Sequence, residues 1–262
     1  MYNGGNPKKG RKMKDKDISM WKKTYNVHVY ESDQRARAKL TSLCNYFQNS
    51  AWEHYNAINM QRGPFLTVRQ IWLMTRMEIE FSRFPQWDED IEAVTWSRGI
   101  DRMLAFRDFN MTGEKGDEIA RGSTTWVVID IETGKIQRLD EMSKKWPSLP
   151  DNKAIGKSAD KIETLQKPEY GPAFKAKYSD LDVNMHVNNV KYIEWALDSY
   201  PLEIIDTREI KKIQVNFEGE TKLGDEVEVG SEKISDEPLI FLNNVLRKKD
   251  HKEVCRIKIE WK

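Results

Sequence analysis

The most constraining feature of this 262-residue sequence is a pattern that occurs twice: an apolar helical segment followed by several segments with strand alternation. An apolar helical face at residues 40–55, with apolar side chains every three or four positions, precedes alternating strands that begin at 71–81. A second apolar helical face at 190–200 precedes alternating strands that begin at 213–217. A chain organised in this way is expected to contain two related structural units.

Residue matches between the two passes support a duplication. At an offset of 136 residues, Phe81 falls on Phe217 within the strands. At an offset of 146 residues, Tyr46 falls on Tyr192 within the helices. We therefore predict two copies of one unit, with a loop after the first helix that is ten residues longer than its counterpart.

The composition divides the chain into four segments. Residues 1–24 carry a net charge of +6 and almost nothing apolar, which predicts a disordered basic tail. Residues 25–140 form the predicted first unit, and 141–173, with four prolines and no apolar period, form the predicted linker. Residues 174–262 form the predicted second unit.

A long helix followed by an antiparallel sheet that curls around it is the hotdog arrangement. One such unit leaves a sheet edge exposed, and two units can remove that edge by pairing. We therefore predict an α+β tandem hotdog, with two units joined edge to edge. The groove between them is expected to be long and apolar and to suit an acyl chain. Trp52, Trp72 and Met74 are candidate lining residues for that groove, with ordinary core packing as the alternative.

Composition also excludes several function classes. Outside the tail the net charge is −5, which argues against nucleic acid as a partner. No stretch is apolar enough to span a membrane, so we expect no membrane partner. Two cysteines and four scattered histidines lack the spacing of metal ligands, and no metal or cofactor is expected. The expected location is a reducing compartment.

One segment carries polar residues in a pattern that suggests chemistry. Asp182, Asn184 and His186 alternate, so in an extended backbone their side chains point the same way. The following helix opens at Asn188 or Asn189, both good N-caps, and its free N–H groups favour negative charge. The residues alone predict an oxyanion site here, or merely a capped turn and helix.

This segment resembles the hallmark of a known family. Residues 180–195 read Asp-Leu-Asp-Val-Asn-x-His-Val-Asn-Asn-Val-Lys-Tyr-Ile-x-Trp, and this run is similar to that of the acyl-acyl-carrier-protein thioesterases of plastids and bacteria. Residues 71–77, 83–87 and 125–128 also resemble the family's first half. The resemblance implies a tandem hotdog, an acyl carrier protein (ACP) as partner, and release of a free fatty acid at the end of fatty acid synthesis. It also implies a location in the bacterial cytoplasm or, in a plant, the plastid stroma.

The resemblance also implies a catalytic set of Asp, Asn and His with a later Glu. By position these are Asp182, Asn184, His186 and Glu220. Glu218 would share a strand face with Glu220, so alternation alone leaves both open, and the family register favours Glu220.

Cysteine chemistry is not expected in this chain. Thr221 stands where the plant pattern has a Cys after the glutamate, so a thiol nucleophile is excluded at that position. Cys44 and Cys255 have no motif around them and are interpreted as ordinary buried residues.

The repeat predicts a single active site. By the two offsets, the four catalytic positions fall in the first unit on Ala36, Ala38, Leu40 and Phe84. The second unit is therefore expected to be catalytic, and the first to supply much of the acyl pocket.

Thioester hydrolysis suits these groups, because a thiolate with a pKa of about 8.5 leaves readily. Glu220 is the expected general base, with direct attack through an anhydride left open. Asn184, His186, Asp182 and the helix N-terminal amides would polarise the thioester. Alternatives are an acyl-CoA thioesterase, a hotdog dehydratase and a non-catalytic acyl-binding protein. A homodimer is also left open.

Overall fold

The computed structural model describes residues 18–156 and 159–262. The first unit contains β1 (Met20–Asn26), α1 (Leu40–Arg62), β2 (Gln70–Phe81), β3 (Asp90–Asp101), β4 (Leu104–Gly113), β5 (Glu118–Asp130) and α2 (Asp140–Ser143). The second unit contains β6 (Glu169–Lys175), α3 (Asn189–Asp198), α4 (Leu202–Thr207), β7 (Ile210–Phe217), β8 (Glu226–Asp236), β9 (Leu239–Arg247) and β10 (Lys252–Trp261). No helix in these described ranges has both the length and the apolar character that a membrane crossing needs.

All ten strands belong to one antiparallel sheet with the order β1-β3-β4-β5-β2-β7-β10-β9-β8-β6. The second half of this order repeats the first half in reverse. The alternating strands bury one continuous core in which α1 and α3 lie against the sheet. The predicted α+β tandem hotdog is confirmed.

Several local expectations were wrong. Strand β1 begins at Met20, so the end of the predicted disordered tail is ordered; residues 1–17 lie outside the described residues. Strand β6 begins at Glu169, inside the predicted linker. Residues 159–165 also lie inside the predicted linker, yet Ile162 and Leu165 are buried against Leu242 of β9.

The two units meet where β2 pairs with β7. Met77 lies opposite Val215, and Glu78 lies opposite Gln214. The predicted offset of 136 residues equates Glu78 with Gln214, so the pseudo-twofold axis passes between these two paired residues.

The predicted helix offset of 146 was wrong. Helix α1 begins at Leu40 and α3 at Asn189, and short 3₁₀ turns precede them at Val29–Glu31 and Tyr178–Asp180, so the offset is 149. The error of three residues is close to one helical turn, over which an apolar face repeats and matches itself again.

A buried ion pair lies at the junction between the units, which we call the seam. Glu78 is 1% exposed; one carboxylate oxygen lies 2.5 Å from Lys212 Nζ, and the other accepts a hydrogen bond of 2.8 Å from Gln214 Nε2. Burial lowers the pKa of Lys212, but the hydrogen bond and charge of Glu78 outweigh it and raise the pKa overall. Lys212 therefore remains charged in the seam.

Replacing Glu78 by Met should destabilise the protein, because Lys212 loses its buried partner and keeps the more exposed Glu80, at 3.4 Å. Removing one member of a fully buried pair costs about 3–5 kcal/mol, and the contact of Lys212 with Glu80 should keep the loss at or below that range. Urea denaturation would measure the loss, and the double variant Glu78→Met/Lys212→Met should recover part of it. Glu141→Met, which removes an exposed partner of Lys144, should leave the urea midpoint nearly unchanged. Equal losses for Glu78→Met and Glu141→Met would contradict this account of the seam.

Candidate active site

The polar segment forms a tight turn and not the expected extended approach. Asp182 Oδ1 accepts hydrogen bonds from the backbone amides of Asn184 at 2.8 Å and His186 at 3.3 Å. The amide of Asp182 donates to the carbonyl of His186, and Met185 has a positive φ of 62°. A carboxylate that bonds its own following backbone competes with extended structure. The Asp182 side chain therefore shapes the backbone that presents His186.

The turn is held beside the chain that follows β7. His186 forms a bridge with Lys222, and the amide of Val187 donates to the carbonyl of Thr221 at 2.9 Å. This pairing brings His186 Nε2 to 3.2 Å from Glu220 Oε2. The competing residue Glu218 is exposed. The structure thus brings Glu220, and not Glu218, to the imidazole.

The N-terminus of α3 faces the same turn. Asn188 is the N-cap, and its side chain accepts a 2.9 Å hydrogen bond from the amide of Val190. The amide of Asn188 donates to the carbonyl of Asp180. Among the described residues the amide of Asn189 has no acceptor, which leaves it as a free donor at a helix N-terminus. The exposed Asn184 side chain lies on the wall of the same cavity.

Two further residues support the site and were not predicted. Arg247, at the end of β9, donates a hydrogen bond to the carbonyl oxygen of Glu220 and pairs with Asp250. Asp180 is buried and accepts a hydrogen bond from the amide of Lys177 at 2.7 Å, which closes the preceding 3₁₀ turn. Arg247 lies far from the motif in sequence, so no local pattern points to it, whereas Asp180 opens the family-like segment.

A large cavity extends from this turn into the first unit. Its volume is about 1330 Å³, and most of its lining is apolar. Asp182, Asn184, His186, Asn188, Asn189 and Glu220 lie on its wall in the second unit, as does Glu218. Trp52, Trp72 and Met74 all line it in the first unit; Trp52 is exposed and Met74 is buried. The geometry can hold a long apolar chain with one end at the His186–Glu220 pair.

Neither cysteine takes part in this arrangement. Cys44 and Cys255 are both free and buried. Burial raises the pKa of the Cys44 thiol to about 12 and raises the pKa of the Cys255 thiol well above its usual value. Both thiols are therefore protonated at neutral pH and are poor nucleophiles. Within the two described ranges, no three His, Cys, Asp or Glu side chains are grouped to hold a metal ion.

The first unit contains the same turn with different chemistry. With the offset of 149, Asp182, Asn184 and His186 correspond to Asp33, Arg35 and Arg37, and not to the predicted Ala36, Ala38 and Leu40. Asp33 Oδ1 accepts hydrogen bonds from the amides of Arg35 at 2.8 Å and Arg37 at 3.0 Å.

The position of the His186–Glu220 pair is occupied differently in the first unit. Phe84 corresponds to Glu220, as predicted, and the Arg37 guanidinium lies over the Phe84 ring at 5.8 Å. Arg37 also pairs with Glu209 of the second unit at 2.5 Å. The turn is thus common to both units, whereas the His–Glu contact occurs in the second unit and an inter-unit ion pair takes its place in the first.

The sequence is similar to proteins of one known family. The family model of the acyl-ACP thioesterase N-terminal domain matches residues 19–145, and that of the acyl-ACP thioesterase C-terminal domain matches 164–262. Oleoyl-acyl carrier protein thioesterase 2, chloroplastic, of Arabidopsis thaliana is 32% identical over 225 residues. That alignment covers 79% of this chain, and this chain spans 61% of the length of the plant protein.

Two solved structures share the fold. An acyl-ACP thioesterase from Bacteroides thetaiotaomicron has a TM-score of 0.80 at 23% identity, covering 93% of this chain and 98% of that one. The 12:0-ACP thioesterase from Umbellularia californica has a TM-score of 0.81 at 22% identity, covering 93% and 94%. With both domain models matched along most of its length, the chain belongs to the acyl-ACP thioesterase family.

Proposed function

We propose that this protein hydrolyses the thioester of an acyl-ACP and releases a free fatty acid. The observation that carries the proposal is the 3.2 Å contact between His186 and Glu220 on the wall of a long apolar cavity, in a chain of this family. The relative from Arabidopsis thaliana is named an oleoyl-ACP thioesterase, which is consistent with an apolar acyl substrate. Two free buried cysteines are consistent with a reducing compartment, such as the bacterial cytoplasm or the plastid stroma.

In the proposed reaction Glu220 is the general base. Its carboxylate takes a proton from water as the water oxygen attacks the thioester carbonyl carbon, and an oxyanion forms. The carbon–sulfur bond then breaks, and the departing thiolate receives the proton held by Glu220. The products are a fatty acid and the free thiol of the carrier. His186 Nε2 lies 3.2 Å from Glu220 Oε2, and in this proposal the imidazole has the role of orienting that carboxylate toward the cavity.

The oxyanion needs donors that are already in place. The free amide of Asn189, at the positive end of α3, is the best candidate, and Asn184 lies on the same wall. A single donor of this kind is worth about 10² to 10³ in rate. Asp182 is proposed as a positioning residue, because its carboxylate bonds the backbone of Asn184 and His186.

Glu220 could alternatively attack the carbonyl carbon itself and form an anhydride. The two routes differ in where the water oxygen goes during one turnover. In water labelled with oxygen-18, the general-base route places the label in the fatty acid alone. The anhydride route places label in the Glu220 carboxylate when water attacks the enzyme side of the anhydride.

Glu220→Gln should lower kcat by about 10² to 10⁴, because an amide cannot accept the proton from water. Release of the carrier thiol would be followed colorimetrically with an acyl-ACP substrate. Glu218→Gln is the matched control: it removes a carboxylate two residues away on the same cavity wall and should stay within a few fold of wild type. Near-normal turnover by Glu220→Gln would sink the assignment.

The duplicated turn offers a test that separates positioning from folding. Asp182→Ala and Asp33→Ala each remove a carboxylate that accepts two backbone amides. Each should lower the free energy of unfolding by about 1.5–3 kcal/mol, since hydrogen bonds to a charged acceptor are lost.

Asp182→Ala alone should also lower kcat, by tenfold or more, and Asp182→Asn, which keeps an oxygen acceptor, should recover part of the rate. Denaturation curves and initial rates on the same protein samples would measure both effects. If Asp33→Ala reduced kcat as much as Asp182→Ala, Asp182 would have only a structural role.

The carrier and chain length decide between the proposed function and its neighbours. We expect higher kcat/KM with acyl-ACP than with the matching acyl-CoA, measured over a series of saturated chains. A preference for acyl-CoA would favour an acyl-CoA thioesterase. Tight binding of a poorly hydrolysed acyl analogue with no turnover of any thioester would instead indicate an acyl-binding protein.

A further inference from the structure

A buried cation lies on the wall of the acyl cavity, away from the His186–Glu220 pair. Arg107, on β4, is 7% exposed and lines the cavity. Its Nη1 nitrogen donates to His54 Nδ1 at 2.9 Å and to Thr95 Oγ1 at 3.1 Å. Among the described residues, these two neutral groups are the only side chains that Arg107 bonds, and its Nε and Nη2 donors have no acceptor.

The partner His54 cannot neutralise this cation. It is fully buried, and its Nε2 lies 2.7 Å from the carbonyl oxygen of Ile18, so Nδ1 is the acceptor that faces Arg107. Burial and the neighbouring charge of Arg107 lower the pKa of His54 to about 3. Burial lowers the pKa of Arg107 to about 10, which still leaves the guanidinium charged at neutral pH.

The nearest acid in sequence does not neutralise it either. Asp108 follows Arg107 in β4, and successive side chains of a strand lie on opposite faces of the sheet. Asp108 lies 3.2 Å from Arg98 and accepts a hydrogen bond from the amide of Ala154. Within the described part of the chain, no carboxylate forms an ion pair with Arg107.

The fold itself does not require a cation at this position. In the first unit Arg107 pairs with Ser97 on one side and Thr124 on the other. The corresponding residue of the second unit is Phe241, which pairs with Lys233 and Ile259 in the same places. Phe241 packs edge-on against Tyr200 at 5.1 Å. In the second unit, an aromatic side chain that does not line the acyl cavity therefore occupies this position of the sheet.

Arg107 lies well beyond the region where the thioester would sit. A row of paired residues runs from Arg107 through Thr124 and Met77 to Val215 on β7, the strand that leads to Glu220. Three strand spacings separate β4 from β7, which is about 14 Å along the sheet. With carbon–carbon bonds of about 1.5 Å, an acyl chain needs at least roughly nine bonds to cover this distance.

A plain hydrocarbon chain is a poor neighbour for this group. It would displace water from Nε and Nη2 without offering an acceptor, and leaving buried polar groups unpaired is costly. An oxygen on the chain would accept from these donors, and hydrogen bonds from a charged donor are the stronger ones.

We propose that Arg107 is a specificity residue that binds an oxygen atom carried on the distal part of the acyl chain. The substrate class is an oxygenated fatty acyl group, with a hydroxyl or a carboxylate at or near its far end. This inference rests on the proposed thioesterase function and adds a second polar contact, remote from the reacting thioester.

The test measures a ratio of specificities within each enzyme. Three acyl-ACP substrates of equal length, long enough to reach Arg107, carry a terminal methyl, hydroxyl or carboxylate group. The ratio of kcat/KM for an oxygenated chain to that for the plain chain should fall at least tenfold in Arg107→Met. Any loss of folded protein affects all three substrates equally and cancels in the ratio.

Arg256→Met is the matched control. Arg256 is also a buried arginine on the sheet, bonded to the carbonyl of Ile162 at 2.6 Å and to Glu253, and it does not line the cavity. Its variant should keep the wild-type ratio. A ratio that is unchanged in Arg107→Met, or a wild-type enzyme that disfavours both oxygenated chains tenfold or more, overturns the proposal.

A binding measurement separates this inference from the proposed function. Glu220→Gln protein would be titrated with the free terminal-hydroxy, dicarboxylic and plain fatty acids of the same length. Tighter binding of an oxygenated acid, lost in Glu220→Gln/Arg107→Met, supports the role of Arg107 even if no thioester is hydrolysed. Equal affinities with and without Arg107 contradict it even if hydrolysis is fast.

Discussion

The pairing of β2 with β7 is the constraint on which the rest of the structure depends. It joins two five-stranded halves into one sheet, and it brings the cavity of the first unit to the His186–Glu220 pair of the second. A slip of one residue would turn every seam side chain to the other face. A slip of two that placed Glu78 opposite Asn216 would keep the faces but separate Glu78 from Lys212. The ion pair therefore opposes one slip of register that apolar packing alone would accept.

The two units share the backbone of the turn but carry different side chains beside it. Both close the turn before the helix with an aspartate that bonds two amides, Asp33 in one unit and Asp182 in the other. Beside that turn, one unit carries an arginine over a phenylalanine and the other an imidazole against a carboxylate. Within the sheet the difference runs the other way: the first unit carries the buried cation Arg107 where the second unit carries Phe241. The two units thus place the His186–Glu220 pair and the Arg107 cation on different parts of the wall of one cavity.

Much of the fold was predictable, because strand and helix periods are local and apolar side chains report them directly. The duplication, the helix near residue 40 and the alternation of β2 and β7 all follow from such periods. The helix offset could not be read from these periods, since an apolar helical face shifted by one turn matches itself again. In the site, the family-like segment indicated His186 and the family register favoured Glu220, but alternation suggested an extended backbone where Asp182 closes a turn. Arg107 and Arg247 were not predicted, because only tertiary contacts distinguish a buried arginine from a surface one.

The cavity poses two different problems of recognition. Apolar walls discriminate weakly, since one methylene changes binding by only about 1–3 kcal/mol. A buried donor discriminates more sharply, because a ligand that lacks the matching acceptor leaves that donor unpaired. Arg107, with two neutral partners and open donors, is a donor of this second kind. The apolar walls would then give a weak selectivity for chain length, and the Arg107 guanidinium a strong selectivity for an oxygen on the chain. Because different residues determine them, these two selectivities can change independently.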